Sequence, residues 1–316
     1  MKKISVLVAC YNEEANVVPL TEAIVNCFNK ELPEYDYELL FIDNHSTDNT
    51  RELLRQLCAE NPKVKAIFNA ANFGQLRSPV YGLKQTTGDC TIKMCADFQD
   101  PIEMIPTFVH EWEKGNKVVI GIKNKSKENP IMYAIRGLYY KIFSKLSDVE
   151  HISQFTGFGL YDKSFISILR EIKDPIPYFR GIVAEYAKER KEIHYTQPKR
   201  KGGKSKNNFL SLYDLGITGL TTYSKALMRL AMVIGFLCAF GSFIVALIYL
   251  IYKLTHWTSF SAGMAPMVVG LFLFSGILLI FIGVLGEYIL TINSRVMGRP
   301  LVVEEERLNF DSDKKY

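Results

Sequence analysis

An acidic loop of oxygen donors lies near the first third of the chain. It reads Ala96-Asp97-Phe98-Gln99-Asp100-Pro101 and directly follows the apolar run Cys90–Cys95. Asp97 and Gln99, two positions apart, can both supply oxygen to one divalent ion, and Asp100 can hold the loop. The structural alternative is that these carboxylates cap a helix beginning near Pro101. The loop predicts a metal site for Mg²⁺ or Mn²⁺ at Asp97 and Gln99.

Polar side chains also follow two other apolar runs. Tyr11-Asn12-Glu13 comes after Ile4–Ala9, and the acidic turn that begins at Asp43 ends the run Glu38–Asp43. Tyr11 can stack on a base, while Glu13 and Asp43 can accept hydrogen bonds from a base or ribose. The turn after Asp43 also suits a helix N-cap, and the two roles are compatible because a capping loop at a strand end faces the crevice. We expect a nucleotide at Tyr11, Glu13, Asp43 and Asp97.

Alternating strands and helices must position these residues. Apolar β-rich runs predict strands, and the segments between them predict helices. The predicted strands are 4–9, 38–43, 63–68 and 90–95, and the predicted helices are 14–29, 50–60 and 79–86. This order indicates a mostly parallel α/β sheet, in which ligands bind beyond the carboxyl ends of the strands. Neither G-x-G-x-x-G nor G-x-x-x-x-G-K-[ST] occurs, which argues against dinucleotide-binding dehydrogenases and P-loop enzymes.

The bulk composition excludes several classes. The net charge of +5 is modest and does not indicate nucleic-acid binding. The six cysteines form no C-x-x-C pair and no zinc spacing, which suits a reducing cytoplasm. The apolar run after Met1 is too short for a signal-peptide core, so we expect the polar domain to stay in the cytoplasm.

Two long apolar segments follow the polar domain. Residues 230–252 carry no charge, and a second run extends over 266–286. About 20 apolar residues cross a bilayer, so both are long enough. Lys225 and Arg229 precede the pair and Arg295 and Arg299 follow it, which places both flanks in the cytoplasm by the positive-inside rule. The segment 208–228 is imperfectly amphipathic and suits either an interfacial helix or a helix packed on the polar domain.

These motifs together resemble the family 2 glycosyltransferases. The resemblance is strongest to the polyprenyl-phosphate enzymes of the dolichol-phosphate mannose synthase and bactoprenol glucosyltransferase type, and it covers the chain to about Val303. The block 97–103, Asp-Phe-Gln-Asp-Pro-Ile-Glu, matches the family's most specific motif, in which the Asp and Gln bind metal. The opening 8–14, the turn 41–48, the Asn-Phe-Gly turn 72–74 and the tail residues 283–288 match as well. The resemblance implies a GT-A fold, Rossmann-like with a mostly parallel sheet, followed by a two-helix transmembrane hairpin.

The resemblance also gives the basic residues a role. After the nucleotide domain the family has Arg, Gly, Ser or Thr, and Lys, which here are Arg200, Gly203, Ser205 and Lys206. Similarity adds Lys123 and Arg136. The implied acceptor-phosphate set is therefore Lys123, Arg136, Arg200, Ser205 and Lys206, with Asp97, Arg200 and Lys206 as the catalytic residues. Lys and Arg suit phosphate through charge-assisted hydrogen bonds.

Two positions depart from the family pattern. Cys95 stands where relatives have an acidic residue, so the metal assignment depends on Asp97 and Gln99. Gly157 stands where bacterial relatives often have an aspartate proposed as catalytic. An acceptor phosphate is largely ionised at neutral pH and tolerates that loss. Asp162 is not expected to replace it and is predicted to begin the next helix.

The expected activity is inverting transfer of a hexose from a nucleotide sugar to polyprenyl phosphate, at the cytoplasmic face of a bacterial inner or plasma membrane. The lipid-linked sugar would supply cell-envelope glycan modification. A UDP-hexose is favoured over GDP-mannose by similarity, and association into a homo-oligomer is left open. Two alternatives remain: a glycosyltransferase with another lipid acceptor such as diacylglycerol, and a catalytically degenerate membrane scaffold. The expected organisation is a catalytic domain (1–207), an interfacial segment (208–228), transmembrane helices (229–253 and 265–290) and a cytoplasmic tail (291–316).

Overall fold

The computed structural model describes residues 1–124, 152–198 and 264–310, with separate helical residues between 233 and 255. Eight strands and seven helices lie in these ranges. The strands are β1 (Lys3–Cys10), β2 (Asp36–Asp43), β3 (Val64–Asn69), β4 (Cys90–Cys95), β5 (Val118–Lys123), β6 (Phe155–Asp162), β7 (Lys191–Tyr195) and β8 (Glu304–Leu308). The helices are α1 (Val17–Glu31), α2 (Thr50–Glu60), α3 (Gly74–Gln85), α4 (Met104–Glu113), α5 (Lys163–Glu171), α6 (Phe179–Tyr186) and α7 (Met264–Val296).

One mixed sheet joins all eight strands in the order β7-β5-β6-β4-β1-β2-β3-β8. β1 pairs in parallel with β2 and β4, and β3 extends the parallel part beyond β2. β6 and β8 run in the opposite direction to their neighbours. The sequence prediction of a mostly parallel α/β sheet is confirmed, and its arrangement is GT-A-like.

Helices cover both faces of the sheet. Apolar residues of α1, α2 and α4 pack with one face, in a core that includes Phe28, Leu54 and Phe108. Those of α3, α5 and α6 pack with the other, in a core that includes Leu83, Phe165 and Val183. The strands are apolar on both sides because both sides are covered.

The predicted boundaries match best where the apolar run is sharply bounded. β4 and α2 have the predicted limits, whereas α3 begins at Gly74, five residues before the predicted start at Pro79. Gly74 has a φ of +79°, which glycine adopts without strain, so the chain turns into the helix there. Asp162 is the N-cap of α5 and accepts a hydrogen bond from the Ser164 backbone N–H, as predicted.

Part of the tail belongs to the sheet, which the sequence analysis did not predict. β8 pairs antiparallel with β3 and forms the edge of the sheet. Arg51 and Arg55 of α2 pair with Glu305 and Glu306 of β8 at 2.7 and 2.8 Å. The Asn309 side chain donates to the carbonyls of Cys58 and Val64, both at 2.7 Å.

Within the described residues, one helix is long and apolar enough to cross a membrane: Phe274–Val296, 23 residues with a mean hydropathy of 2.1. It belongs to α7 and extends six residues beyond the predicted limit of 290. The other predicted span, 229–253, is described only in isolated helical residues, and the interfacial segment 208–228 lies outside the described ranges.

Candidate active site

The candidate site lies at the edge of the sheet where the parallel strands end. Cys10, Asp43 and Cys95 are the last residues of β1, β2 and β4, and the register places Cys10 beside Asp43 and Ala9 beside Cys95. The polar clusters that follow these strands therefore share one edge, as the sequence predicts. Parallel strands bring about this convergence because all their carboxyl ends face the same way.

Backbone strain is concentrated at this edge. Asn12, His45 and Phe98 have φ values of +56°, +68° and +59° just after β1, β2 and β4, and Gln154 has +60° just before β6. Left-handed backbone in a residue other than glycine is unfavourable and persists where surrounding contacts fix it. Four such residues around one edge indicate loops that are held in a defined shape.

The acidic loop is fixed by its last carboxylate. Asp100 is buried and accepts a hydrogen bond from the Cys95 backbone N–H at 2.9 Å, which closes the loop on the end of β4. The hydroxyl of Tyr195, the last residue of β7, donates to the other Asp100 oxygen at 3.4 Å. Burial raises the pKa of Asp100 to about 6, against that backbone N–H and the charges of Lys93 and Lys123, which lower it.

The proposed metal ligands lie on the open part of the loop. Asp97 and Gln99 are both partly exposed, and the Gln99 backbone N–H donates to an Asp97 oxygen at 3.2 Å. Neither Asp97 nor Asp100 caps α4, whose N-cap is Glu103 without a side-chain capping bond, so the capping alternative is wrong.

The donor set suits an ion that is only partly held by protein. Among the described residues, no group of three or more His, Cys, Asp or Glu side chains can hold a metal. One carboxylate and one amide oxygen fit Mg²⁺ or Mn²⁺, since such ions are often bound by one or two protein oxygens with substrate phosphates and water completing the shell. The pair fits a metal that arrives with a diphosphate.

The predicted nucleotide residues differ in accessibility. Tyr11 is partly exposed, whereas Glu13 is 8% exposed and accepts a hydrogen bond from the Asn16 side chain at 2.6 Å. Asp43 is fully buried. It accepts from the Ser46 hydroxyl and, at 3.1 Å, from the Ser46 backbone N–H. A direct contact between Asp43 and a base would require the Ser46 side chain to move.

Asp43 also has a charged neighbour that the sequence analysis missed. The Arg51 Nε lies 3.5 Å from an Asp43 oxygen, and the Arg51 Nη2 pairs with Glu305. Burial raises the pKa of Asp43, against the Ser46 hydrogen bonds and the Arg51 charge, which lower it. No sequence signal identifies Arg51, because its partners lie on β2 and β8.

The loops after β1 and β2 are joined by side-chain hydrogen bonds. The Thr47 backbone N–H donates to the Asn12 side chain, and the Asn12 backbone N–H donates to the Ser46 hydroxyl, both at 2.8 Å. Asn44 then connects to the Asn-Phe-Gly turn, accepting from the Phe73 backbone N–H at 2.9 Å. The polar residues of this edge form one connected rim.

The basic residues are only partly described. Lys123, the last residue of β5, lies at the same edge and pairs in register with Tyr195. Arg136, Arg200, Ser205 and Lys206 lie outside the described residues. β7 ends at this edge, because it runs parallel to β5. The described chain continues from β7 to Pro198, and the basic segment begins at the next residue, Lys199.

A second residue missed by the sequence analysis is Lys93, in the middle of β4. It is only 8% exposed, and the neighbouring residues of β4 are apolar. A charged residue inside a buried strand is unfavourable. A lysine within an apolar run is therefore a signal that can be read from the sequence.

Known proteins are similar to this chain along nearly its whole length. The sequence profile of glycosyl transferase family 2 matches residues 5–169. The uncharacterized glycosyltransferase YkcC of Bacillus subtilis (strain 168) is 28% identical over 313 residues, covering 99% of this chain and 96% of that protein. The bactoprenol glucosyl transferase of Shigella phage SfX is 29% identical, covering 96% of this chain and 99% of that protein.

A solved structure is similar at a lower level. Glucosyl-3-phosphoglycerate synthase from Mycobacterium tuberculosis, in complex with Mn²⁺, uridine diphosphate and phosphoglyceric acid, has a TM-score of 0.46 at 15% identity and covers 70% of this chain and 77% of that one. The family profile spans β1 to α5, which include the acidic loop and the three polar strand ends. The chain belongs to glycosyl transferase family 2.

Proposed function

We propose that the protein transfers a hexose from a nucleotide sugar to the phosphate of a polyprenyl phosphate, with inversion at the anomeric carbon. The observation that carries the proposal is the sharing of one sheet edge by the acidic loop, the polar rim and Lys123. The end-to-end similarity to proteins named bactoprenol glucosyl transferase supports a polyprenyl acceptor. A UDP-hexose is the donor we favour, on the family resemblance drawn from the sequence motifs.

On this proposal the rim binds the nucleotide. Tyr11 packs against the base from its partly exposed position. Asp43 and Glu13 act indirectly, by holding the loops after β1 and β2 in shape. Asp97 faces the diphosphate.

Catalysis then depends on positioning and on the leaving group. A divalent ion bound at Asp97 and Gln99 would supply positive charge to the departing diphosphate. The acceptor phosphate is largely dianionic at neutral pH, so it can attack without a general base. Its oxygen forms the new bond to the anomeric carbon while the bond to the diphosphate breaks, and the electron pair leaves with the nucleoside diphosphate. Lys123, Arg136, Arg200, Ser205 and Lys206 hold the attacking phosphate in line.

We also propose that the chain crosses the membrane twice. β8 follows α7 and pairs with β3 of the catalytic sheet, so the two ends of the membrane part lie on the same side of the bilayer. If α7 crosses once, an odd number of further crossings must lie between Pro198 and Met264. The apolar run 230–252 is the candidate, which gives a hairpin with the catalytic domain and the tail in the cytoplasm.

Two alternatives make different demands on the site. A diacylglycerol acceptor presents a neutral hydroxyl and needs a general base, and the described part of the edge offers no evident one now that Asp100 is committed to its loop. A catalytically degenerate scaffold would have no reason to keep Asp97 and Gln99 on an open loop. Metal-dependent binding of UDP or GDP, measured by calorimetry, distinguishes an enzyme from a scaffold.

The proposal is tested with the Asp97→Ala variant. Wild-type protein in detergent, with Mg²⁺ or Mn²⁺, is screened with UDP- and GDP-hexoses against short-chain polyprenyl phosphate. We expect transfer by the wild type and a loss of at least a hundredfold in Asp97→Ala, because the diphosphate loses its charge stabilisation. Glu103→Ala is the matched control, since it removes an exposed carboxylate six residues away that makes no capping bond. Full activity in Asp97→Ala would contradict the metal assignment.

A further inference from the structure

Lys93 carries a buried charge that the proposed mechanism does not use. Among the described residues, no hydrogen bond or ion pair engages its ammonium. The nearby Asp100 carboxylate is already committed to the Cys95 backbone N–H and the Tyr195 hydroxyl. An ammonium near the site edge that makes no hydrogen bond within the described protein has its N–H groups available to donate to a bound anion.

The side chain of Lys93 extends toward the site edge. In the register of the sheet, Lys93 lies beside Gly159 of β6. Its ammonium, however, is close to Gly157: a Cβ added there would lie 2.9 Å from Nζ and 3.6 Å from Cε. Because β6 is antiparallel to β4, Gly157 lies nearer the end of β4 than Gly159 does. The ammonium therefore lies toward the edge where the acidic loop begins.

Small residues flank this ammonium. Continuing the antiparallel register places Cys95 across from Gly157, and Cys95 is exposed. Gly157 has no side chain, so nothing from that position covers Nζ. The Phe179 ring, whose centroid is 5.7 Å from Nζ, also lies beside Gly157, with its Cδ1 3.5 Å from a Cβ added there. An oxyanion could approach the ammonium between Cys95 and Gly157.

We propose that Lys93 binds an oxygen of the acceptor phosphate. The order of the strands favours the acceptor over the nucleotide sugar. The polar rim, which we propose binds the nucleotide, follows β1 and β2 on one side of β4. Gly157 belongs to β6 on the other side of β4, and the next strand, β5, ends at Lys123. Two lysines thus reach the acceptor side of the acidic loop. This assignment rests on the proposed function for the identity of its ligand.

The test measures binding rather than turnover. Full-length wild type, Lys93→Met and Lys93→Gln are titrated in detergent with short-chain polyprenyl phosphate and, separately, with UDP and with inorganic phosphate. We expect both variants to lose about tenfold or more in affinity for polyprenyl phosphate, as for a charge-assisted hydrogen bond, and to keep their affinity for UDP. Weakening by inorganic phosphate of polyprenyl phosphate binding to the wild type, but not of the residual binding to Lys93→Met, supports a phosphate-oxygen contact.

Thermal unfolding without ligand separates this role from a structural one. Removing a lysine that makes no hydrogen bond or ion pair within the described protein should leave the unfolding midpoint nearly unchanged, whereas removing a stabilising lysine would lower it. Lys65→Met is the matched control: it removes a half-buried strand lysine whose partner is Glu38, at the opposite edge of the sheet, and should lower the midpoint without changing lipid affinity.

Each outcome decides the proposal. Unchanged polyprenyl phosphate affinity in the Lys93 variants, or a loss that falls on UDP instead, overturns it, as does a wild type that does not bind the lipid. A wild type that binds the lipid through Lys93 but transfers no sugar to it would refute the proposed function and leave the Lys93 assignment standing.

Discussion

Two buried charges at opposite edges of the sheet show how differently single residues are used. Glu38 of β2 is 2% exposed and has a full set of partners. It accepts from the Ser5 hydroxyl at 2.6 Å, the Thr87 hydroxyl at 2.8 Å and the Lys65 ammonium at 2.9 Å, and Lys3 lies 3.1 Å away. Lys93, by contrast, has no ion-pair partner in the described chain. Glu38 stabilises the fold through these partners, whereas Lys93 is the residue for which we propose a ligand.

The Glu38 carboxylate should make stability depend on acid pH. Burial raises its pKa, but the hydrogen bonds and Lys65 outweigh burial and lower the pKa to about 2. Because the folded pKa is below the unfolded value, the stabilisation is fully present above pH ~4.5 and is lost as the pH falls through about 2. We expect Glu38→Gln to lose roughly 3 kcal/mol at pH 7 and the difference from wild type to shrink toward pH 2.

Thermal unfolding of the detergent-solubilised protein at pH 7 and pH 3 measures this difference. Glu60→Gln, which changes an exposed carboxylate at the end of α2, serves as the control and should behave as wild type at both values. A Glu38→Gln deficit of the same size at both pH values would show that packing, and not ionisation, accounts for it.

At the scale of elements, α2 connects the polar rim to the tail strand. Arg51 and Arg55 lie one turn apart on α2, and both stack over the Phe68 ring at 5.1 and 5.0 Å. Both also pair with carboxylates of β8. Only Arg51 reaches Asp43, at 3.5 Å. The two arginines are thus nearly equivalent in structure and different in their relation to the site.

This near-equivalence allows a matched test. Arg51→Met and Arg55→Met should both lower the unfolding midpoint, because each removes one ion pair to β8 and one cation–π contact. Arg51→Met should lower it more, because it also removes the cation beside the buried Asp43. Only Arg51→Met should weaken UDP binding, by about threefold to tenfold, because it leaves the buried Asp43 carboxylate without its cation. Calorimetric titration with UDP measures the effect. Equal UDP affinities in the two variants would exclude a role for Asp43 in nucleotide binding.

At the scale of the whole molecule, the tail strand constrains the proposed membrane topology. Residues after α7 return to the sheet through β8, and the end of α7 contacts the catalytic domain where Arg295 pairs with Asp174 at 3.2 Å. The edge that carries the acidic loop and the apolar helix α7 are therefore parts of one connected structure. Such a connection would keep the site close to a lipid-borne acceptor.

The hairpin topology predicts which positions are accessible from outside the cell. In a chain without its native cysteines, Ser259→Cys between the two apolar runs should react with a membrane-impermeant thiol reagent in intact cells. Ser312→Cys in the tail should react only after permeabilisation, because β8 holds the tail beside the catalytic domain. Labelling of both cysteines in intact cells, or protection of both, would contradict the two crossings.

The sequence by itself determined the parts of the protein that depend on local pattern. Apolar β-rich runs ending in polar residues gave β1 to β4, and the limits of β4 and α2 were predicted to the residue. The acidic loop and the polar ends of β1 and β2 could be placed at one edge because parallel strands have a common direction. The family followed from the same motifs.

Only the tertiary structure decided the rest, because it depends on contacts between residues far apart in the chain. β8 reads Glu304-Glu305-Glu306-Arg307-Leu308 and has no apolar strand pattern; it is a strand because α2 supplies arginines to its carboxylates and β3 offers an unpaired edge. The burial of Asp43 follows from Ser46 and Arg51 closing over it. The approach of Lys93 to Gly157 exists only because β6 returns antiparallel beside β4, and no spacing in the sequence records that neighbour.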